Sequence, residues 1–262
     1  MSEPVSVFPE GTFTPDPGRG RTLRMLRAQS GLETRLALRN AEQVLLTLLI
    51  PAALLVGLTL VPAVSTPDPR VSWILAPMLA LAVMSSAFTS QAIALGFDRR
   101  YGALRRLAAT ALPRWSLVCG RLTAVAAVVV IQMLLLGVLA AFLGWAPSGA
   151  RLDGVLIAVL LGAAAFGALG VLLGGTLRAE IVLAVANLVW FVLLLAGGIV
   201  VPVADLPGPL AVVAPWLPSG ALAEALRAAL GDGTFPAVGS LLVLAGWAVV
   251  AGLVAARTVR WR

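Results

Sequence analysis

Long apolar runs dominate the pattern of hydrophobic and polar positions in this chain. We predict six of them, near residues 44–62, 72–96, 116–143, 154–176, 181–202 and 237–256. About 20 helical residues cross the hydrocarbon of a bilayer, so each run is long enough to span it. Arg121 is the one charged residue inside the runs, and its long side chain can reach the interface. The pattern predicts an all-α membrane protein with six transmembrane helices.

The segments before the first run predict two further elements. Residues 1–20 are rich in proline and glycine, which indicates a disordered cytoplasmic tail. Residues 21–42 intersperse arginine with leucine, which predicts an amphipathic interfacial helix with Ser30-Gly31 as its weakest point. A solvated basic linker is the alternative. Residues 43–262 then form the six-span domain.

Arginine sets the predicted orientation, because all 19 basic residues are arginines. With the N-terminus inside, all of them except Arg70, Arg151 and Arg227 fall on the cytoplasmic side. This bias predicts that both termini are cytoplasmic. The Ala-, Gly- and Arg-rich composition without lysine suggests a bacterial source, hence the cytoplasmic (inner) membrane. The basic charge does not predict nucleic-acid binding, since no basic stripe alternates with stacking aromatic residues.

Two connections between the runs have helical patterns of their own. After Gly102, the spacing of Leu104 and Leu107 predicts a short amphipathic helix that ends before Pro113. Its exposed face could dock a soluble partner or rest on lipid. After Pro218, residues 219–230 predict a helix too short to span, which lies at the outer interface or re-enters the membrane.

The residue inventory excludes several kinds of catalytic site. Without lysine the chain cannot form a P-loop for ATP hydrolysis. With no histidine and one cysteine, Cys119, it cannot form a common zinc site or a Ser-His-Asp triad. We therefore predict that the chain is not an enzyme and binds no metal or cofactor. Gln91, Gln132 and Asn187 are polar positions within the spans that either join helices or face a substrate path.

Two motifs resemble those of a known family. Gly102, Leu104, Leu107 and Thr110, followed by Gly120-Arg121 at the next span, resemble the cytoplasmic loop of the ABC-2 family of transport permeases. Ala103 and Ala111 depart from the family's usual Thr and Pro. The stretch from Pro218 to Arg227, with Glu224, resembles the family's segment before the last span. The resemblance extends over residues 21–262.

The resemblance implies a half-transporter of an efflux system. Two permease copies, or one copy and a paralogue, would pair in the membrane lipid, each on a separate ABC ATPase subunit that uses ATP and Mg. The loop would couple to that ATPase through Asp98, Arg99, Arg100, Gly102, Leu104, Arg105, Arg106, Leu107 and Thr110. Pro218, Glu224 and Arg227 would belong to an extracellular gate. The apolar spans suit an amphipathic or lipophilic substrate, and the alternative is a non-ABC membrane protein, either a secondary transporter or an assembly factor.

Overall fold

Helices form the regular structure throughout the described part of the chain. The computed structural model describes residues 22–39, 41–61, 69–103 and 114–258, and these ranges contain no strand. The predicted tail, residues 1–20, and the predicted loop helix after Leu104 lie outside these ranges. The α-helices described are α1 (Thr22–Arg39), α2 (Ala41–Leu60), α3 (Arg70–Arg100), α4 (Arg114–Phe142), α5 (Leu152–Thr176), α6 (Ala179–Ala196), α7 (Gly208–Val213), α8 (Pro218–Leu230) and α9 (Val238–Thr258).

Five described helices are long and apolar enough to cross a bilayer, namely α3, α4, α5, α6 and α9. The pair α7–α8 is bent by 84° and adds a sixth crossing if it is counted as one broken span. The first predicted span corresponds to α2, in which the described apolar stretch, Thr47–Leu60, is shorter than these five. The all-α class is therefore confirmed, with five or six candidate spans among the described residues.

Two predicted boundaries are corrected by the structure. The fifth run was expected to continue to residue 202, but α6 ends at Ala196. The chain turns there because Gly198 adopts a positive φ of 73° and Pro202 cannot extend a helix. The weak point expected at Ser30-Gly31 is not a break, because α1 is continuous there. Ser30 is buried against α4, where its hydroxyl donates to Thr123 Oγ1 at 3.4 Å.

The most buried helix is α3, which packs against α2, α4, α5, α6 and α8. Its middle, Ser85–Ser90, widens into a π-helix. Gly170 and Gly174 of α5 face this helix. A Cβ on Gly170 would lie 2.8 Å from the Phe88 carbonyl oxygen. The absence of side chains at these two positions therefore allows α5 to approach the backbone of α3.

The helix predicted at residues 219–230 is α8, with Pro218 in its first turn, where a missing N–H costs nothing. All of its residues except Glu224 and Ala228 are buried. It packs against α3, α5 and α9. The helix is therefore enclosed by its neighbours, and the choice between the outer interface and a re-entrant position stays a prediction.

Candidate functional sites at the two ends of the bundle

The last turn of α3 is tied to three other helices. Asp98 pairs with Arg121 of α4, and Arg100 pairs with Glu180 of α6. Between them, Arg99 Nη1 donates to the carbonyl oxygens of Gly174 and Leu177, each at 3.1 Å, at the end of α5. We call this the arginine-rich end of the bundle.

Helix electrostatics favour these partners. The last carbonyls of a helix have no intrahelical donor, and a cation beside them also opposes the negative end of the helix dipole. Arg99 meets both needs at the end of α5. Glu180 lies in the first turn of α6, where a negative charge is favoured. Arg100 and Glu180 are both well exposed, so in water their pair would contribute only about 0–1 kcal/mol.

The predicted coupling residues divide between the described and the undescribed parts of the chain. Asp98, Arg99 and Arg100 occupy the last turn of α3, and Gly102 follows with a positive φ of 70°, a conformation common just after a helix end. The remaining predicted positions, Leu104, Arg105, Arg106, Leu107 and Thr110, lie outside the described residues. The ties of Asp98, Arg99 and Arg100 therefore lie directly before the predicted loop helix.

The Gly120-Arg121 motif lies where α1 crosses α4. A Cβ on Gly120 would come within 2.8 Å of Gln29 Cγ, so the glycine lets the two helices meet closely. Arg121 is only 8% exposed and faces both Asp98 and Glu33. Burial raises the pKa of the Glu33 carboxyl above its usual range, and Arg121 opposes this only in part.

A polar cavity of about 350 Å³ lies beside this cluster and brings two of the predicted polar residues near each other. Gln91 lines it, and its buried Oε1 has no hydrogen-bond partner among the residues that the structure describes. Gln132 accepts from Ser86 Oγ at 2.7 Å and donates to Thr47 Oγ1 at 2.9 Å, and both of these partners line the cavity. Gln132 therefore joins α2, α3 and α4.

The third predicted polar residue, Asn187, lies apart from this cavity. It is exposed on α6, and its Nδ2 donates to the Leu183 carbonyl oxygen of its own helix at 2.8 Å. The structure therefore brings Gln91 and Gln132 to one region and leaves Asn187 on an outer face of the bundle.

The opposite end of the bundle contains a second charged cluster, centred on Arg227 of α8. This side chain is almost fully buried, at 6% residue exposure. Nη1 donates to Glu224 at 2.9 Å, and Nη2 donates to the Gly198 and Ile199 carbonyl oxygens at 2.6 and 3.0 Å. Those carbonyls belong to the turn after α6. The predicted gate residues Glu224 and Arg227 thus form one cluster that ties α8 to that turn, and Pro218 begins the same helix.

Sequence reasoning missed several polar and aromatic residues that the structure places at these two ends. Glu33 was overlooked because it lies in a helix rich in arginine. Its spacing of four from Gln29 could have indicated the hydrogen bond that Gln29 Nε2 donates to it at 2.9 Å. Trp73, Trp190, Asp205 and Asp232 line a large cavity near Arg227. Their positions in the chain are too far apart for spacing alone to have connected them.

Two comparisons with known proteins identify the family of this chain. The sequence model of a family described as "ABC-2 family transporter protein" matches residues 55–257. A Bacillus subtilis (strain 168) protein named "Putative transport permease YvfS" is 28% identical over 203 residues, which cover 75% of this chain and 82% of that protein. The family match extends from within α2 into α9, so it includes Asp98, Arg121 and the Arg227 cluster but not Glu33 of α1. The chain therefore belongs to the ABC-2 family of transporter proteins, as its loop and pre-span motifs predicted.

Proposed function

We propose that this chain is the membrane subunit of an ABC exporter in the bacterial cytoplasmic membrane. It would move an amphipathic or lipophilic substrate outward with ATP hydrolysed on a separate subunit. The observation that carries the proposal is the set of ties that Asp98, Arg99 and Arg100 make to α4, α5 and α6. These ties lie directly before the segment on which an ATPase would act.

The arrangement suggests how motion would pass from the ATPase to the membrane. In our proposal the ATPase docks on residues 104–112, with Leu104 and Leu107 as the apolar contacts and Arg105 and Arg106 beside them. Because each of the three preceding residues is bonded to a different helix, displacement of the loop displaces the ends of all three helices together. ATP and Mg bind to the partner, since this chain has no lysine with which to build a P-loop.

The positive-inside rule supports placing the arginine-rich end in the cytoplasm, together with both termini. In this orientation α1 lies along the inner surface, with Arg24, Arg27 and Arg35, all exposed, toward anionic head groups. The Arg227 end then faces outward. There we propose that α8 is a re-entrant gate helix, held to the turn after α6 by Arg227.

A second permease subunit, identical or paralogous, would complete the pore. The exposed faces of α2 and α6 carry large apolar side chains, including Leu49, Leu188 and Phe191, which suit contact with lipid or another subunit. Asn187 lies on the same side of α6 as Leu183 and Leu188. Its amide is costly to leave in hydrocarbon and would be better accommodated at a subunit boundary or beside substrate. Gln91 and Gln132 remain candidates for substrate contact from the inner side.

Co-purification with an ATPase tests the proposal. ABC ATPases from the same genome are co-expressed with this chain one at a time, each complex is isolated through a tag on this chain, and ATP hydrolysis is measured in lipid nanodiscs. We expect co-purification and expect Leu104→Asp to abolish it. Ser148→Asp is the matched control, since it adds the same charge to an exposed turn at the opposite end. Failure of every ATPase to co-purify with the unmodified chain, or equal recovery of ATPase with both variants, would contradict the proposal.

A further inference from the structure

A second, larger cavity lies at the opposite end of the bundle, between α2, α3, α6 and α8. Its volume is about 970 Å³, and its inner wall is mostly apolar, with Leu54 of α2 and Met78 of α3 among the lining residues. Cavities that bind drug-sized molecules commonly enclose about 300–1,000 Å³ and combine apolar walls with a few polar groups. The cavity therefore has the size and lining of a small-molecule site.

Two tryptophans from different helices contribute to this wall. Trp73 belongs to α3 and Trp190 to α6, and both are half-buried. Trp190 Nε1 donates to Ser85 Oγ at 3.1 Å, which fixes the ring against the π-helical stretch of α3. Indole faces attract cations as well as apolar groups. An occupant that carries a positive charge would therefore interact favourably with these rings.

The charge at the mouth of the cavity is negative. Among its lining residues are three carboxylates, Asp205, Glu224 and Asp232, and one guanidinium, Arg227. Arg227 is already engaged by Glu224 and by two backbone carbonyls. Asp205 and Asp232 are exposed, and neither accepts a hydrogen bond from a described side chain. Asp205 also interacts electrostatically with Arg227, but three carboxylates against one guanidinium leave the lining with a net negative charge for an entering cation to meet.

We propose that this cavity binds amphipathic organic cations, with the apolar body against α2 and α3 and the positive group near Asp205 and Asp232. An anionic amphiphile would meet a net negative rim, because the one arginine lining the cavity is neutralised. A neutral amphiphile would take water from the carboxylates without replacing it by an opposite charge. The step from binding to export rests on the proposed function, whereas binding itself needs no ATPase.

Two ions of the same shape and opposite charge make the test direct. Tetraphenylphosphonium and tetraphenylborate are titrated separately into the purified full chain in neutral detergent, with empty micelles subtracted. We expect saturable binding of tetraphenylphosphonium and none of tetraphenylborate. The double variant Asp205→Asn with Asp232→Asn should raise the dissociation constant for the cation at least tenfold. Asp153→Asn, which removes an exposed carboxylate outside the cavity, should leave that constant unchanged.

A second variant separates loss of binding from loss of folding. Ala228→Leu, at a position that lines the cavity, fills part of it without altering the charged rim or adding an aromatic ring, and it should also weaken cation binding, while the size-exclusion profiles of all variants stay unchanged. Equal binding of the two ions, or an unchanged constant in the double variant, would overturn the proposal. Displacement of the cation by added phosphatidylethanolamine would overturn it too, because the site would then hold a lipid ammonium group. None of these binding results depends on whether the chain pairs with an ATPase, which the co-purification experiment tests separately.

Discussion

Gly174 lies where α5 passes closest to the backbone of α3, and replacing it by alanine tests this packing. A Cβ at that position would overlap the Ala92 carbonyl oxygen and would lie 3.0 Å from Leu95 Cβ and 3.1 Å from the Ala92 carbonyl carbon. Two of these three atoms belong to the backbone of a buried helix. They cannot move aside as the end of a flexible side chain could, so the two helices must separate.

The expected cost follows from these contacts. Inserting one methyl group into a well-packed core costs about 1–3 kcal/mol. The same substitution removes backbone freedom from the unfolded chain and improves helix propensity, which together contribute up to about 1 kcal/mol in the opposite direction. Gly137→Ala carries that gain without the clash, since a Cβ on Gly137 meets nothing within 4 Å. Relative to this control, Gly174→Ala should lose about 1–3 kcal/mol of unfolding free energy.

Thermal unfolding in detergent, followed by intrinsic tryptophan fluorescence, measures the difference. One kcal/mol corresponds to about 2–4 °C in a domain of roughly 150–250 residues, so the two variants should differ by several degrees. Gly170→Ala should also have a lower Tm than the control, because the added Cβ would lie 2.8 Å from the Phe88 carbonyl oxygen. If Gly174→Ala and Gly137→Ala had the same Tm, the close approach of α5 to α3 would be refuted.

Three further results are expected. Arg227→Gln should lower the free energy of unfolding by about 1–3 kcal/mol in chemical denaturation, because the Gly198 and Ile199 carbonyls lose their buried donor, whereas the partly exposed Glu224 can be solvated. Arg227→Lys should recover part of this loss. Because burial raises the pKa of the Glu33 carboxyl, ionising that carboxyl destabilises the fold as the pH rises. Glu33→Gln should therefore have a higher Tm than the wild type at pH 8. The difference in Tm should vanish below the ordinary pKa of a glutamate. In a Cys119→Ser background, an impermeant maleimide should label Ser148→Cys but not Thr110→Cys in intact cells, and the reverse would overturn the proposed orientation.

The helical framework was predictable because membrane spans obey a single dominant constraint. Backbone polar groups in hydrocarbon must bond within the segment, so long apolar runs become helices. The run predicted at 154–176 became α5, Leu152–Thr176, and the run at 237–256 became α9, Val238–Thr258. The end of α6 at Ala196 was harder to predict from the sequence. The residues that follow stay apolar through Val201, and only Gly197, Gly198 and Pro202 indicate the turn.

The partners within each site were not predictable in the same way. Arg99 bonds to carbonyls 75 and 78 residues later in the chain, and no periodicity connects positions so distant. Ser30 is another example, since its disruptive tendency within a helix is offset by burial against Thr123, 93 residues away. Glu224 and Arg227 were found because the stretch that contains them resembles the family's segment before the last span. The carbonyls that complete that cluster come from another element.

The two ends of α3 have different mechanical consequences under the proposed function. At the arginine-rich end its last turn is bonded to α4, α5 and α6, and along its length the backbone of α5 lies against it at Gly170 and Gly174. Motion that enters through the loop after Gly102 must therefore carry α3 and α5 together. At the other end, α6 is held to α8 through Arg227, and the large cavity separates this pair from α2. Since a packed interface resists change and a cavity does not, we expect the bundle to change width at that cavity, where the carboxylates Asp205 and Asp232 face the entrance.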